Sequence, residues 1–455
     1  MGTGCLDPRR PDYGDGGMKT KLLNLNGKLF ATYWFVPGLM CAAGAAAALL
    51  VVAYDRTGTP HGYETWRRWI DVNTAEGARE LLSTIASSTI TLAGVIFSIT
   101  ILALSFASSN YGPRLLRNFM RDRASQLVLG TFAATYLYCL LVLRTVGSEA
   151  DGSDIPHTAI AGALGLGVVT IGVLIFFIHH VARAIQVSTL TAGVGHDLDA
   201  LIEHFIAVGE KQPRGKESVS TAKLSGGVLV TSEIAGYVQA LSHEELLEIA
   251  DRLDGTVHLE IAPGDYISRG SLLLRLAGKD SVKASNAVGD ARDAVVVGTQ
   301  RTNEQDLEFP LDQLAEIAVR ALSPGTNDPF TAIACINRLG GALSRLASVT
   351  WPEPLLRDER GSPRVFLVPT SMGRLLRRAF SQIIHCGGDN PAIVRQVMKM
   401  LHQVAACADS MHRRDIQAFA GEIHRGHRTG DEHVSAEIER FVAAIGKERV
   451  AVGGE

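Results

Sequence analysis

Apolar residues fall in four long runs over roughly the first 190 positions and in short, broken runs after that. The long runs cover 31–54, 81–107, 127–146 and 158–181. Each is close to the roughly 20 residues an α-helix needs to cross a hydrocarbon core about 30 Å thick. The pattern therefore predicts a membrane α-helical part with four transmembrane helices, followed by a cytoplasmic α+β domain. The first run contains the small-residue stretch AAGAAAALL, but it exceeds the 7 to 15 apolar residues usual in a signal peptide, so it is expected to stay as an anchor. The polar, Gly-rich leader before it leaves Met18 as an alternative start to Met1.

Basic residues orient the spans, because short loops rich in Lys and Arg stay in the cytoplasm. Lys19, Lys21 and Lys28 precede the first span, a collar of Arg114, Arg117, Arg121 and Arg123 separates the second from the third, and Arg183 follows the fourth. The loop GSEADGSDIPH carries acids and no Lys or Arg. The expectation is an inner-membrane protein with both termini cytoplasmic. One loop dissents: Arg56, Arg67, Arg68 and Arg79 lie on the outer side in this arrangement.

The second run is rich in hydroxyls and continues until Gly112-Pro113 stops it. Thr84, Ser88, Thr91, Ser98 and Ser105 recur in steps of four, three or seven, which aligns them on one face of a supercoiled helix. Facing a bundle axis, they would line a pore, and Val95 and Leu102 between them would form apolar rings able to gate by excluding water. The competing reading is packing: Ser and Thr in membrane helices bond back to their own backbone or let helices approach. Ser83, Ser87, Thr89 and Thr100, which lie off the stripe, favour that alternative. No Asp, Glu, Lys or His lies deep in a span, which argues against a proton-coupled transporter.

Past a polar bridge the chain turns to β-type runs, GGVLVTSEIAGYVQAL and TVHLEIAPGDYISRGSLLLRLAG, with Pro263-Gly264-Asp265 and Gly270 as turns. Together these resemble the halves of a barrel-sandwich hybrid, as in lipoyl domains, without the family's modified lysine. An inserted helix, LSHEELLEIADRLDG, opens with a capping box at Ser242 and Glu245. The expected order is a leader (1–27), the transmembrane domain (28–190), a helical linker (191–222), a barrel-sandwich-like β module (223–280), an α/β-to-helical domain (281–445) and a tail (446–455). The fourth span is expected to continue as helix into the linker, interrupted only by Gly193 and Gly195. Amphipathic helices are expected at 373–384, 390–411 and 436–444.

The densest polar constellation follows. A strand at 295–297 leads to Arg301, Thr302, Gln305 and Asp306, and a helix opening near Pro310 ends at Ser323-Pro324. Asn327 or Asp328 then caps the next helix, with Pro329 in its first position. A helix N-terminus beside Arg301 or Arg320 would suit an anion, whereas Asp306 and Asp328 would suit a cation. The alternative is that these residues only cap and pair one another to fix two turns.

Charge and cysteine content narrow the classes. A net charge of −3 with no Lys/Arg block argues against a nucleic-acid partner. Six scattered cysteines without a Cys-x-x-Cys pair predict free thiols. His412, His424, His427 and His433 lack carboxylates or cysteines at ligand spacing, so no metal is expected. No Walker loop, His-Glu-x-x-His, nucleophile elbow or kinase signature is present, so neither a cofactor nor a catalytic residue is expected.

The segments ITLAGVIFSITILALSFASSNYGPRLLRNFMRDR, VLGTFAATYLYCLLVLRTV, AGYVQAL, PGDYISRG, QRTNEQD and ALSPGTNDPFTA occur in that order. In this the chain resembles the bacterial membrane proteins with domain of unknown function 2254. The resemblance implies a bacterial inner-membrane protein and carries over no activity. The leading expectation is a homo-oligomeric, channel-like protein contacting membrane lipids, with a basic collar favouring anions. The other is a membrane-anchored sensor or scaffold that binds a small ion, an anionic ligand or a protein.

Overall fold

The computed structural model describes residues 34–57, 74–111, 123–146, 155–184, 186–211, 227–426 and 432–446. The chain forms two compact units, residues 1–186 and 187–455.

The first unit contains α1 (Phe35–Arg56), α2 (Ala75–Tyr111), α3 (Arg123–Thr145) and α4 (His157–Ala184). All four are long and apolar enough to cross a membrane. Small residues set their closeness. A Cβ on Gly44 would press on Ala134 of α3, and one on Gly130 would collide with Met40 of α1. This is how membrane helices gain contact without a hydrophobic drive between them. Gly162 makes room for Tyr138, whose hydroxyl donates to the Ala159 carbonyl at 3.0 Å. The α2 residues Ala78, Leu82, Ala86, Ala93 and Ile96 are buried against the other helices.

Two polar groups near helix ends are paired within the unit. Asp55, in the last turn of α1, accepts the Ala159 N–H of the first turn of α4 at 3.0 Å, where the positive end of the helix dipole favours a carboxylate. Arg79 of α2 donates to the Val146 carbonyl just past α3.

The second unit opens with α5 (Val187–Lys211) and continues through β1 (Val228–Thr231), β2 (Gly236–Leu241), α6 (His243–Arg252), β3 (Thr256–Leu259), β4 (Tyr266–Ile267) and β5 (Leu272–Ala277). Then come α7 (Ser281–Asn286), α8 (Val288–Asp293), β6 (Val295–Gly298), α9 (Glu308–Ala321) and α10 (Pro329–Ala347). Strands β7 (Leu355–Arg357) and β8 (Pro363–Phe366) precede α11 (Met372–Gly387), α12 (Pro391–Cys407), α13 (Ser410–Gly426) and α14 (Glu432–Gly446).

The strands make a five-stranded sheet in the order β1-β5-β3-β8-β7 and a three-stranded sheet in the order β4-β2-β6. All pairs are antiparallel except β3 with β8, so the strands at 355–366 and 295–298 complete sheets begun in 228–277. Val230, Val238, Leu246, Ile249, Val257, Leu274 and Val365 share one core between the sheets and α6.

Several local expectations change. The helix of the fourth run stops at Ala184, and α5 starts at Val187 and runs unbroken through Gly193 and Gly195. Ser242 takes the N-cap position of α6 but makes no side-chain capping bond, so the box with Glu245 is not formed. The helix expected over 390–411 splits into α12 and α13, because Asp409 accepts the His412 N–H at 2.8 Å and starts a new helix. Cys41, Cys139, Cys335, Cys386 and Cys407 are free.

Candidate functional site

Two places carry the residues singled out by sequence. The first is the outer face of α2. Thr84, Ser88, Thr91, Val95, Ser98, Leu102 and Ser105 are all exposed, about 200° around the helix from the buried Leu82, Thr89 and Ile96. The stripe is thus a face left uncovered among the described residues. Two of its hydroxyls bond back to the helix, Thr91 to the Ser87 carbonyl at 2.7 Å and Ser98 to the Gly94 carbonyl at 2.9 Å. Thr89 and Thr100, off the stripe, do likewise.

The side chains differ from those exposed on α1 and α4 in their Ser and Thr content. Exposed large apolar residues on α4 are Val168, Val169, Ile171, Ile175, Phe176 and Ile178, and on α1 Leu39, Leu49 and Leu50, beside exposed small residues such as Gly165 and Gly172 of α4 and Ala42, Ala43, Ala46 and Ala47 of α1. On α2 the exposed apolar residues Ile90, Val95, Phe97, Ile99, Ile101, Leu102 and Phe106 are interspersed with hydroxyls and with Gly94, beside which a Cβ would meet open space. In the collar, Arg123 opens α3, and Arg114, Arg117 and Arg121 lie outside the described residues.

The second place is the loop 299–306 and the start of α9. Nε and Nη2 of Arg301 both reach Asp306 Oδ2 at 2.7 Å, and Nη1 reaches Asp312 Oδ2 at 2.6 Å. Its guanidinium lies 5.1 Å from the centre of the Phe309 ring. The other Asp306 oxygen accepts the N–H groups of Glu308 at 3.0 Å and Phe309 at 3.1 Å, capping α9. Glu308, nearly buried, is held by Arg374 and Arg378 of α11, and Arg378 also approaches Asp312 at 3.7 Å. Three carboxylates and three guanidiniums therefore neutralise one another. Burial raises the Asp306 carboxyl above its usual range, against the pull of Arg301. The two carboxylates hold the Arg301 guanidinium charged against the opposing effect of burial.

Neighbouring residues tie the loop to the sheets. The Gln305 amide bonds both the N–H and the carbonyl of Leu241, at 2.9 and 3.1 Å, and Thr302 donates to the Gln239 carbonyl at 3.4 Å. Gly264 sits under the network with φ +95°, and a Cβ there would collide with the Asp306 carboxylate. A glycine is required on both counts.

Ser323, Asn327 and Asp328 form a separate structure. Asp328 caps α10, accepting from the Phe330 and Thr331 N–H groups at 3.1 Å and from the Thr331 hydroxyl at 2.6 Å. The Thr331 hydroxyl and then its N–H hold the Asp328 carboxyl below its usual range. The Ser323 hydroxyl donates to the Arg320 carbonyl at 2.7 Å, and Asn327 has the left-handed φ of +43° that this turn needs. Asp306 and Asp328 flank α9 at opposite ends. Fourteen helical residues span roughly 20 Å, so the two carboxylates do not share a cation site. The sequence missed Glu308, Asp312, Arg374 and Arg378; the only trace was their position on the helices that flank the loop.

A family described as a predicted membrane protein, DUF2254, matches residues 31–403. Uncharacterized proteins of Mycobacterium bovis and Mycobacterium tuberculosis are 33% identical over 345 residues, 75% of this chain and 66% of theirs. The chain thus spans about two thirds of the length of these relatives. No solved structure matches it.

Proposed function

The chain belongs to the DUF2254 family of predicted membrane proteins, and from that premise we propose that it is a homo-oligomeric, channel-like protein built around α2. Copies would pack with their hydroxyl-bearing faces toward a common axis in the bacterial inner membrane, both termini cytoplasmic. One observation carries this reading: the uncovered face of α2 carries Ser and Thr hydroxyls, which the exposed positions of α1 and α4 lack. Small and hydroxyl side chains favour close helix approach or a wetted surface, whereas lipid tails are met equally well by Leu and Ile. Val95 and Leu102 on that face would supply apolar constrictions, and the arginine collar 114–123 would draw anions to one mouth. We read the two sheets of the second unit as a barrel-sandwich-like vestibule module.

The sensor alternative loses its simplest form, because Arg301 is already occupied by Asp306 and Asp312. The channel reading is tested on full-length protein in lipid discs and in liposomes. A symmetric ring with Thr91 and Ser98 at its centre, and ion flux that Ser98→Leu reduces, is the expected result. Monomers with this face in lipid and liposomes without flux would overturn it.

A further inference from the structure

Trp351, just past the end of α10, brings two distant helices to one indole. Its Nε1–H donates to the Leu346 carbonyl at 2.8 Å, which fixes the ring. The Phe205 ring of α5 packs edge-on against it at 5.6 Å, and the His412 ring of α13 lies 4.8 Å away, tilted by 41°. His412 is only 4% exposed, so a titratable ring is enclosed against an aromatic one.

The residue that starts α13 supplies the other partner. Oδ1 of Asp409 accepts the His412 backbone N–H at 2.8 Å and stands 3.3 Å from His412 Nδ1. That buried nitrogen makes no hydrogen bond. Without a proton it sets a lone pair against an acceptor oxygen, an arrangement that burial makes costly. With a proton it is a charged donor beside a carboxylate, and an indole within about 6 Å adds a cation–π attraction. Among the described residues Asp409 is the charged group that meets this ring. The charged groups on neighbouring elements have other partners. Glu353 pairs with Arg357, Glu203 with Arg345, and His204 acts on His243. Arg413 donates to the Ala405 and Ala408 carbonyls, and Asp415 accepts the Gly373 N–H.

We propose that Trp351, His412 and Asp409 form a proton-operated clasp between α13 and the turn after α10, closed when His412 is an imidazolium. Histidine is the side chain that changes charge near neutral pH, so the clasp works in that range. Closing draws the first turn of α13 onto the indole that also seats Phe205 of α5. The packing of α5, the helix that opens the second unit, is thereby tied to proton concentration.

The test uses full-length protein in lipid discs carrying Trp34→Phe, Trp66→Phe and Trp69→Phe, which leaves Trp351 as the only tryptophan. An imidazolium quenches an indole it touches, so Trp351 emission is expected to fall reversibly between about pH 8 and pH 5, the interval in which histidine titrates. Adding His412→Gln should abolish that loss. Adding Asp409→Asn, which keeps the helix cap but removes the charge, should move the loss to lower pH. If the glutamine variant fails to fold, judged by circular dichroism, the asparagine variant decides, because it retains His412. Emission that does not change with pH, the same loss in folded His412→Gln protein, or a loss unmoved by Asp409→Asn would overturn the proposal.

Discussion

Arg79 donates two hydrogen bonds, from Nε at 3.3 Å and Nη2 at 2.9 Å, to the carbonyl oxygen of Val146. A guanidinium at the end of α3 meets the negative pole of that helix and satisfies a carbonyl at its C-terminal end. An arginine counted against the expected orientation is thus committed to a helix cap. Arg79→Gln is expected to cost about 0.5–1.5 kcal/mol, the worth of a typical hydrogen bond. Thermal unfolding in lipid discs should show a lower midpoint, and Asp55→Ala, which uncaps α4, should show a similar loss.

Arg301 and Asp306 are almost wholly enclosed, with side-chain exposures of 11% and 2%. Breaking a buried pair leaves an uncompensated charge, so Arg301→Met is expected to destabilise the second unit by about 3–5 kcal/mol. Replacing both, Arg301→Met with Asp306→Leu, should recover part of that loss. A double-mutant cycle by chemical unfolding checks this, and additive single effects would refute a coupled pair.

Asp328 caps α10 without touching the Arg301 network. Asp328→Ala is therefore expected to cost about 1 kcal/mol, and Asp328→Asn much less, since asparagine caps well. Equal losses in unfolding experiments on the two variants would contradict the capping role.

Burial and the nearby charge of His204 hold His243 below the usual histidine range, and burial does the same to His258. For a group whose folded pKa is depressed, the stabilising contribution is present above the unfolded value, about 6.5, and is lost as pH falls through the folded value. The second unit should therefore lose stability on acidification below about pH 6.5. His243→Gln should flatten that dependence in midpoints measured between neutral pH and pH 5. An unchanged slope would show that His243 does not contribute to it.

The four membrane helices were legible because hydrophobic runs of that length have one economical fate in a bilayer, where every backbone group must be bonded within its own segment. The Asp328 cap and Pro329 were legible for a similar reason: a helix end is satisfied by residues adjacent in sequence. The role of RTNEQD was not. Arg301 finds Asp312 eleven residues away, Glu308 finds Arg374 and Arg378 on α11, and Gln305 finds Leu241 on β2. Side chains that look like a ligand site when read along the chain become a neutral bracket once distant helices supply their counter-ions.

The sequence alone determined which segments are apolar enough to enter a membrane, that Asp328 caps α10, and that the hydroxyls of α2 share one face. Those properties depend on spacing within a single segment. Only the tertiary structure decided that this face is the one left uncovered, that β8 joins β3, and that Arg301 is satisfied internally. Each of these depends on which groups far apart in the chain compete for the same partner, and that competition is settled by packing in three dimensions.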